Sequence, residues 1–197
     1  MNALEWDERY RSADHLWSVT PNLFIADRLG TVSPGRGLDL AAGEGRNSIW
    51  LASLGWEMTA VDFSEVAVSR GAAHSDGVDF IVADIRDWEP EGVFDLVLMA
   101  YLHLVPPDFE KLLGRARNWL SPGGELFLIG HDVSNVTDGC GGPQDPEVTW
   151  DVPDVVGWLS GMSIIESEVV RRPVETEHST GFARDALIRA RALPVPG

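Results

Sequence analysis

Leu38-Asp39-Leu40-Ala41-Ala42-Gly43-Glu44-Gly45-Arg46-Asn47 is the stretch whose reading decides the fold. Leu38, Leu40 and Ala41 read as a short buried strand, and residues 48–54 read as the helix after it. Gly43 and Gly45 therefore sit where strand becomes helix. Glycine there takes backbone angles closed to other residues and lets a ligand approach the main chain without meeting a Cβ. The helix N-terminus adds N–H groups that have no partner inside the helix. Asp39 is out of place in an apolar strand, because a buried carboxylate costs free energy unless something hydrogen-bonds to it.

The pattern continues downstream. Residues 56–61 read as a second strand ending at Asp62, about twenty residues past Gly43, the place of a ribose-binding acid after a glycine turn. Ser64 is set to cap a helix reaching His74, and residues 78–83 read as a third strand ending at Asp84. Asp39, Asp62 and Asp84 thus mark three successive strand ends, where an open parallel sheet binds its ligands. Residues 94–100 form a fourth strand, followed by Tyr101, Leu102 and His103; His103, between apolar neighbours, reads as a packed core residue more than as a base. Pro106 and Pro107 start a helix to Leu120, and Ser121-Pro122-Gly123-Gly124 reads as a turn into a fifth strand over 125–129.

Residues 130–150 show little periodicity and many turn formers, the mark of a structureless segment that is a lid, a binding loop or disordered. A short helix over 152–159, a sixth strand over 163–170, a hairpin over 175–181 and a seventh strand over 183–192 close the chain. Ahead of the first strand, Trp6 and Tyr10 read as cover for the sheet edge, and Pro21 opens a helix-like run over 22–29. The expected fold is α/β: a Rossmann-like, seven-stranded, mostly parallel sheet with helices on both faces and one antiparallel strand near the C-terminus.

Two ligand classes fit the turn. A nicotinamide dinucleotide site wants Gly-x-Gly-x-x-Gly/Ala with a pyrophosphate at the helix N-terminus. Here the third position is Ser48, and Asp39 and Glu44 stand where the pyrophosphate would lie. Two carboxylates favour a cationic amino-acid ligand instead.

Composition narrows the rest. At 197 residues and 44% hydrophobic, the chain suits one core, and a single domain over 1–197 is expected. A formal charge of −16 argues against nucleic acid or an anionic membrane as partner. No apolar run reaches membrane length, and Met1-Asn2-Ala3-Leu4-Glu5-Trp6-Asp7 has no basic-then-apolar leader, so a cytoplasmic monomer or homodimer is expected. Cys140, the single cysteine, has no internal disulfide partner, and five scattered histidines give no metal-ligand spacing.

The block from Asp39 to Asp62 resembles the glycine-rich first motif of the class I S-adenosylmethionine-dependent methyltransferases, and the likeness extends over nearly the whole chain. Trp6-Asp7-Glu8-Arg9-Tyr10 and Leu16-Trp17-Ser18-Val19-Thr20-Pro21-Asn22 are similar to the N-terminal cap of the bacterial tellurite-resistance methyltransferases and their thiopurine-like relatives. The resemblance implies a cap over residues 1–34, with Arg11 and Trp17 as cofactor contacts. It adds Asp39, Ala41, Gly43, Arg46, Asp62 and Phe63 around the turn, Asp84 at the adenine amino group with Ile85 beside it, and Met99 in the strand that follows.

It also implies an acceptor-side role for the 130–150 loop. Glu177-His178 and Arg184-Asp185-Ala186-Leu187-Ile188-Arg189-Ala190-Arg191 look like the family's ending, which makes His178 and Arg184 the candidate catalytic residues. Ser179 stands where those relatives have an arginine. The implied function is methyl transfer from S-adenosylmethionine to a small molecule: a tellurite- or selenite-type oxyanion, a thiol or a small hydroxylated metabolite. A nicotinamide-dependent oxidoreductase and a non-catalytic cofactor-binding sensor are the alternatives.

Overall fold

A computed structural model describes residues 2–12, 18–176 and 179–193. Its helices are α1 (Ala3–Arg11), α2 (Leu23–Leu29), α3 (Arg46–Ser53), α4 (Glu65–His74), α5 (Pro106–Ala116), α6 (Asn135–Asp138) and α7 (Val152–Trp158). The strands are β1 (Arg36–Leu40), β2 (Glu57–Asp62), β3 (Val78–Val82), β4 (Phe94–Ala100), β5 (Leu120–His131), β6 (Met162–Thr176) and β7 (Ser179–Ala192). They form one seven-stranded sheet in the order β3-β2-β1-β4-β5-β7-β6. β1 pairs parallel with β2, and β2 with β3, while β7 runs antiparallel to both β5 and β6. This is the expected Rossmann-like sheet with its one reversed strand. The chain divides into two compact units, Met1–Leu98 and Met99–Gly197.

In the first unit, Leu38, Leu40, Ala60, Val61, Leu51 and Ile25 are fully buried, as expected of parallel strands covered by helices. Two caps fix helix starts. Asn22 Oδ1 accepts from the backbone N–H of Phe24 and Ile25, and Ser64 Oγ accepts from Ala67 N–H at 3.1 Å.

α1 is a helix that the pattern over residues 5–12 does not announce, because charges interrupt its apolar spacing. It is secured instead by a reciprocal cap: Asn2 Oδ1 accepts from Glu5 N–H and Glu5 Oε2 accepts from Asn2 N–H. Asp7 is buried on α1, and its Oδ1 accepts from Ser64 Oγ at 2.6 Å and from Val66 N–H at 3.2 Å. That hydroxyl bond, foremost, holds the Asp7 carboxyl below the usual carboxylate range. Tyr10 does not cover the sheet edge. A Cβ added to Gly43 would lie 2.6 Å from the Tyr10 hydroxyl, so Tyr10 lies on the glycine turn.

In the second unit several boundaries move. α5 stops at Ala116 and a 3-10 turn, Arg117–Trp119, takes its place up to Leu120. Ser121 to Gly124 are not a separate turn but the first part of β5, with Gly123 at φ 81°; pairing with β7 begins at Glu125.

The segment 130–150 is not structureless. β5 runs on to His131, Trp150 N–H donates to His131 C=O and Val133 N–H to Trp150 C=O, both at 2.8 Å, and α6 and a 3-10 turn at Pro146–Val148 fill the interval. Its order comes from side chain-to-backbone bonds, such as Asp132 Oδ1 accepting from Ser134 N–H and Asp145 Oδ1 from Glu147 N–H. Such bonds leave no hydrophobic period. The hairpin expected over 175–181 is also narrower, because β6–β7 register continues to Thr176↔Ser179.

Candidate functional site

The first unit places the glycine turn at the C-terminal end of β1. Ala41, Gly43 and Gly45 take φ of 58°, 58° and 75°, three left-handed residues within five. For Ala41 that conformation costs on the order of 1–2 kcal/mol and marks a backbone over-determined by its surroundings. At Gly45 a side chain is doubly barred, by φ and by the Phe80 ring, which would lie 2.6 Å from an added Cβ.

Asp62, the last residue of β2, closes the turn: its Oδ2 accepts from Gly43 N–H and its Oδ1 from Ser64 N–H, each at 2.9 Å. Burial pushes its carboxyl up, an effect the N–H groups of Ser64, Gly43 and Phe63 only partly offset. A carboxylate has four lone pairs, so acceptor capacity remains for a ligand hydroxyl. Asp39, second from the end of β1, is 1% exposed and accepts from Ser48 Oγ at 2.7 Å. Ser48, standing where a dinucleotide site has its third small residue, is thus the partner that Asp39 required.

Burial pushes Asp39 up to about 7, with the Asp62 charge adding to it and Ser48 and Arg46 opposing it. The sign of the resulting pH effect follows. The folded chain holds a proton that the unfolded chain loses near 3.8, so this contribution to stability is complete below that value and is lost as pH rises to about 7. Asp39→Asn is expected to abolish the decline. The unfolding free energies of the two proteins, compared from pH 4 to 7.5, should diverge by a few kcal/mol in favour of the variant; parallel curves would refute the buried proton.

Glu44 departs from its expected part. Its Oε1 lies 3.2 Å from Arg70 Nη1, so its charge is compensated by the guanidinium. Asp84, two residues past β3, is gripped by Arg86, with Nη2 at 2.6 Å and Nε at 3.0 Å, and Arg86's hydrogen bonding holds its carboxyl below the usual range. Ile85 is buried, and Phe63 and Arg46 are half-buried. Arg11, exposed at the end of α1, lies 3.6 Å from Asp7. Trp17 and His178 lie outside the described residues.

In the second unit Met99 is fully buried in β4. Arg184 serves as a tie: its Nε donates to Ser134 Oγ at 2.7 Å, its N–H to Asn135 Oδ1 at 2.7 Å, and its C=O accepts from Asp132 N–H. Beside it lies a cluster that the sequence did not single out. Asp185, 0% exposed, accepts from Tyr101 Oη and Arg172 Nε on its Oδ2, both at 2.7 Å, and its Oδ1 lies 3.2 Å from His131 Nδ1.

Burial acts to raise the Asp185 carboxyl, but the bonds from His131, Arg172 and Tyr101 together outweigh it and hold it low. Tyr101 has φ 57°, a second strained non-glycine residue directly after a strand end. The His131 ring lies 5.0 Å from Tyr101 and 6.3 Å from His103. The signal available in the sequence was Tyr101-x-His103 after a strand; its partners are 28 or more residues away, at 131, 172 and 185.

Among the described residues no group of three His, Cys, Asp or Glu side chains is placed to hold a metal ion. Among them, too, no helix is long and apolar enough to cross a membrane.

Comparison with known proteins completes the description. Residues 38–124 match a family described as a methyltransferase domain. A demethylmenaquinone methyltransferase from Clavibacter sepedonicus is 35% identical over 121 residues, 58% of this chain and 47% of its own length. The chain spans about half the length of this and other curated relatives it matches.

Among solved structures, the N-methyltransferase NodS from Bradyrhizobium japonicum WM9, in complex with S-adenosyl-l-homocysteine, aligns with TM-score 0.73 at 17% identity, covering 98% of this chain and 99% of that one. TehB from Haemophilus influenzae aligns with TM-score 0.74 at 16% identity, covering 94% and 66%. At these identities the structures speak to the fold.

Proposed function

We propose that this chain, whose residues 38–124 match a methyltransferase-domain family and whose fold is that of the class I methyltransferases, binds S-adenosylmethionine and methylates a small molecule. One observation carries the reading: two buried carboxylates, Asp39 and Asp62, bracket a turn with left-handed residues at Ala41, Gly43 and Gly45. A ligand that presents a ribose to one acid and a cationic amino-acid end to the other matches that pair, and a pyrophosphate does not. The residues therefore fit the cofactor.

In this reading Asp62 accepts the ribose hydroxyls, Asp39 faces the ammonium group, and Ala41 and Gly43 approach it through their main chain. Arg46, Phe63, Asp84, Ile85, Met99, Arg11 and Trp17 complete the contacts by family likeness. α1, with Tyr10 laid on Gly43, supports the proposal that residues 1–34 cap the cofactor within one domain over 1–197. The bound cofactor supplies an activated methyl group, and the protein's part is to align donor and acceptor, exclude water and remove a proton where the acceptor carries one.

The acceptor we infer from the family ending is a tellurite- or selenite-type oxyanion, a thiol or a small hydroxylated metabolite, with His178 and Arg184 on its side and residues 130–150 helping to enclose it. A cytoplasmic setting, as monomer or homodimer, accords with this chemistry. The test is calorimetric titration with S-adenosylhomocysteine and, separately, with NADH. Micromolar binding of the first and none of the second is expected; the reverse preference would replace the reading with a hydride-transfer site.

A further inference from the structure

We propose that His131 is the general base for the methyl acceptor and that Asp185 positions it, so that the acceptor is a neutral hydroxyl rather than an oxyanion or a thiolate. This rests on the methyltransferase reading above.

His131 ends β5, and Asp185 stands directly opposite it on β7 in the antiparallel register. Cross-strand neighbours at this spacing share a face, which is why two residues 54 positions apart in sequence form a pair. His131 Nδ1 and Asp185 Oδ1 are 3.2 Å apart, within ion-pair distance, and both atoms are buried with no hydrogen-bond partner among the described residues. The nearby carboxylate favours the tautomer that carries its proton on Nδ1, which leaves Nε2 as the ring nitrogen that takes a proton.

The rest of the cluster holds that geometry. Asp185 is fixed on its other oxygen by Tyr101 and Arg172, so it cannot swing away from the ring. One face of the imidazole is covered by Gly142, where φ is 75° and an added Cβ would meet three ring atoms at 2.7–2.9 Å. The ring nonetheless keeps 11% of its side-chain surface exposed, whereas Asp185 has none. A buried carboxylate orienting a partly exposed imidazole is the relation by which a histidine becomes a base.

The same contacts define the acceptor class. Arg172 gives its Nε to Asp185 and Tyr101, so its charge is compensated by a buried carboxylate. Oxyanions and acidic thiols such as benzenethiol are already ionised near neutral pH and need no base, whereas a hydroxyl needs its proton removed as it attacks. In the reaction the acceptor O–H proton passes to His131 Nε2, and the oxygen pair so freed forms the new O–CH3 bond. The methyl–sulfur bond breaks with its pair left on sulfur, giving a neutral thioether. The imidazolium, facing Asp185, then returns its proton to water.

The experiment measures S-adenosylhomocysteine formation with 3,4-dihydroxybenzoate, phenol, benzenethiol and sodium selenite as probes. Wild-type protein should turn over a hydroxyl probe. His131→Ala should lower kcat on it by roughly 100-fold or more with little change in KM, bind S-adenosylhomocysteine like wild type, and regain activity when imidazole is added. Asp185→Asn should lower kcat and move the His131 ring proton to Nε2, read by nitrogen-15 NMR. Undiminished kcat in His131→Ala would overturn the proposal. So would a loss that imidazole does not restore in a variant that still binds the cofactor product, or turnover confined to benzenethiol or selenite. A cofactor-competent wild type that methylates neither hydroxyl probe also overturns it. Failure of wild type to bind S-adenosylhomocysteine strikes the methyltransferase reading instead.

Discussion

Asp62→Ala is expected to weaken S-adenosylhomocysteine binding by on the order of 1.5–3 kcal/mol, about 10- to 150-fold in Kd. Two losses combine. The ligand loses a charge-assisted acceptor for its ribose hydroxyls, and the turn loses the carboxylate that receives Gly43 N–H and Ser64 N–H. Asp62→Asn separates the two, since its amide oxygen can still accept from one N–H while its NH2 turns a donor toward another. An affinity in Asp62→Asn midway between wild type and Ala would assign part of the effect to the turn. Wild-type affinity in Asp62→Ala, measured by calorimetry, would remove the ribose assignment.

Asp185→Ala should be the most destabilising single change in the second unit. It removes the shared acceptor of Tyr101 Oη and Arg172 Nε and the carboxylate beside His131, and it leaves a guanidinium with 26% side-chain exposure facing a fully buried site. Breaking a buried pair from one side costs about 3–5 kcal/mol, and the partial exposure of Arg172 places the expectation at about 3. For a chain of this size that is a fall in Tm of roughly 6–12 °C. Asp185→Ala with Arg172→Met should recover part of it, because the orphaned charge goes too. A Tm within about 2 °C of wild type would show that the cluster does not support the fold.

The fold was largely legible because its signals are local. Leu38 to Asn47 announces strand, turn and helix within ten residues, and Ser64 declares its cap three residues ahead of Ala67. Asp39 was legible as a buried acid in need of a partner, and Ser48 answers it from the first turn of α3, nine residues on. What could not be read is what long-range pairing creates. Asp7 looks like one charge among several on a polar segment until Ser64, 57 residues on, meets it. The His131–Asp185 pair exists through β5–β7 register, and a register has no signature at either position alone. The 130–150 segment was misjudged for the opposite reason: its order lies in asparagine and aspartate bonds to nearby backbone, which leave composition looking like a loop.

The clasp of α1 has a kinetic consequence. Asp7 fastens the helix to the start of α4, and Tyr10 rests its hydroxyl on Gly43, the point where a ligand would meet the main chain. A ligand seated there would share or displace that contact, so Tyr10→Phe is expected to change the rate at which S-adenosylhomocysteine leaves the turn, a quantity that the binding constant alone does not reveal.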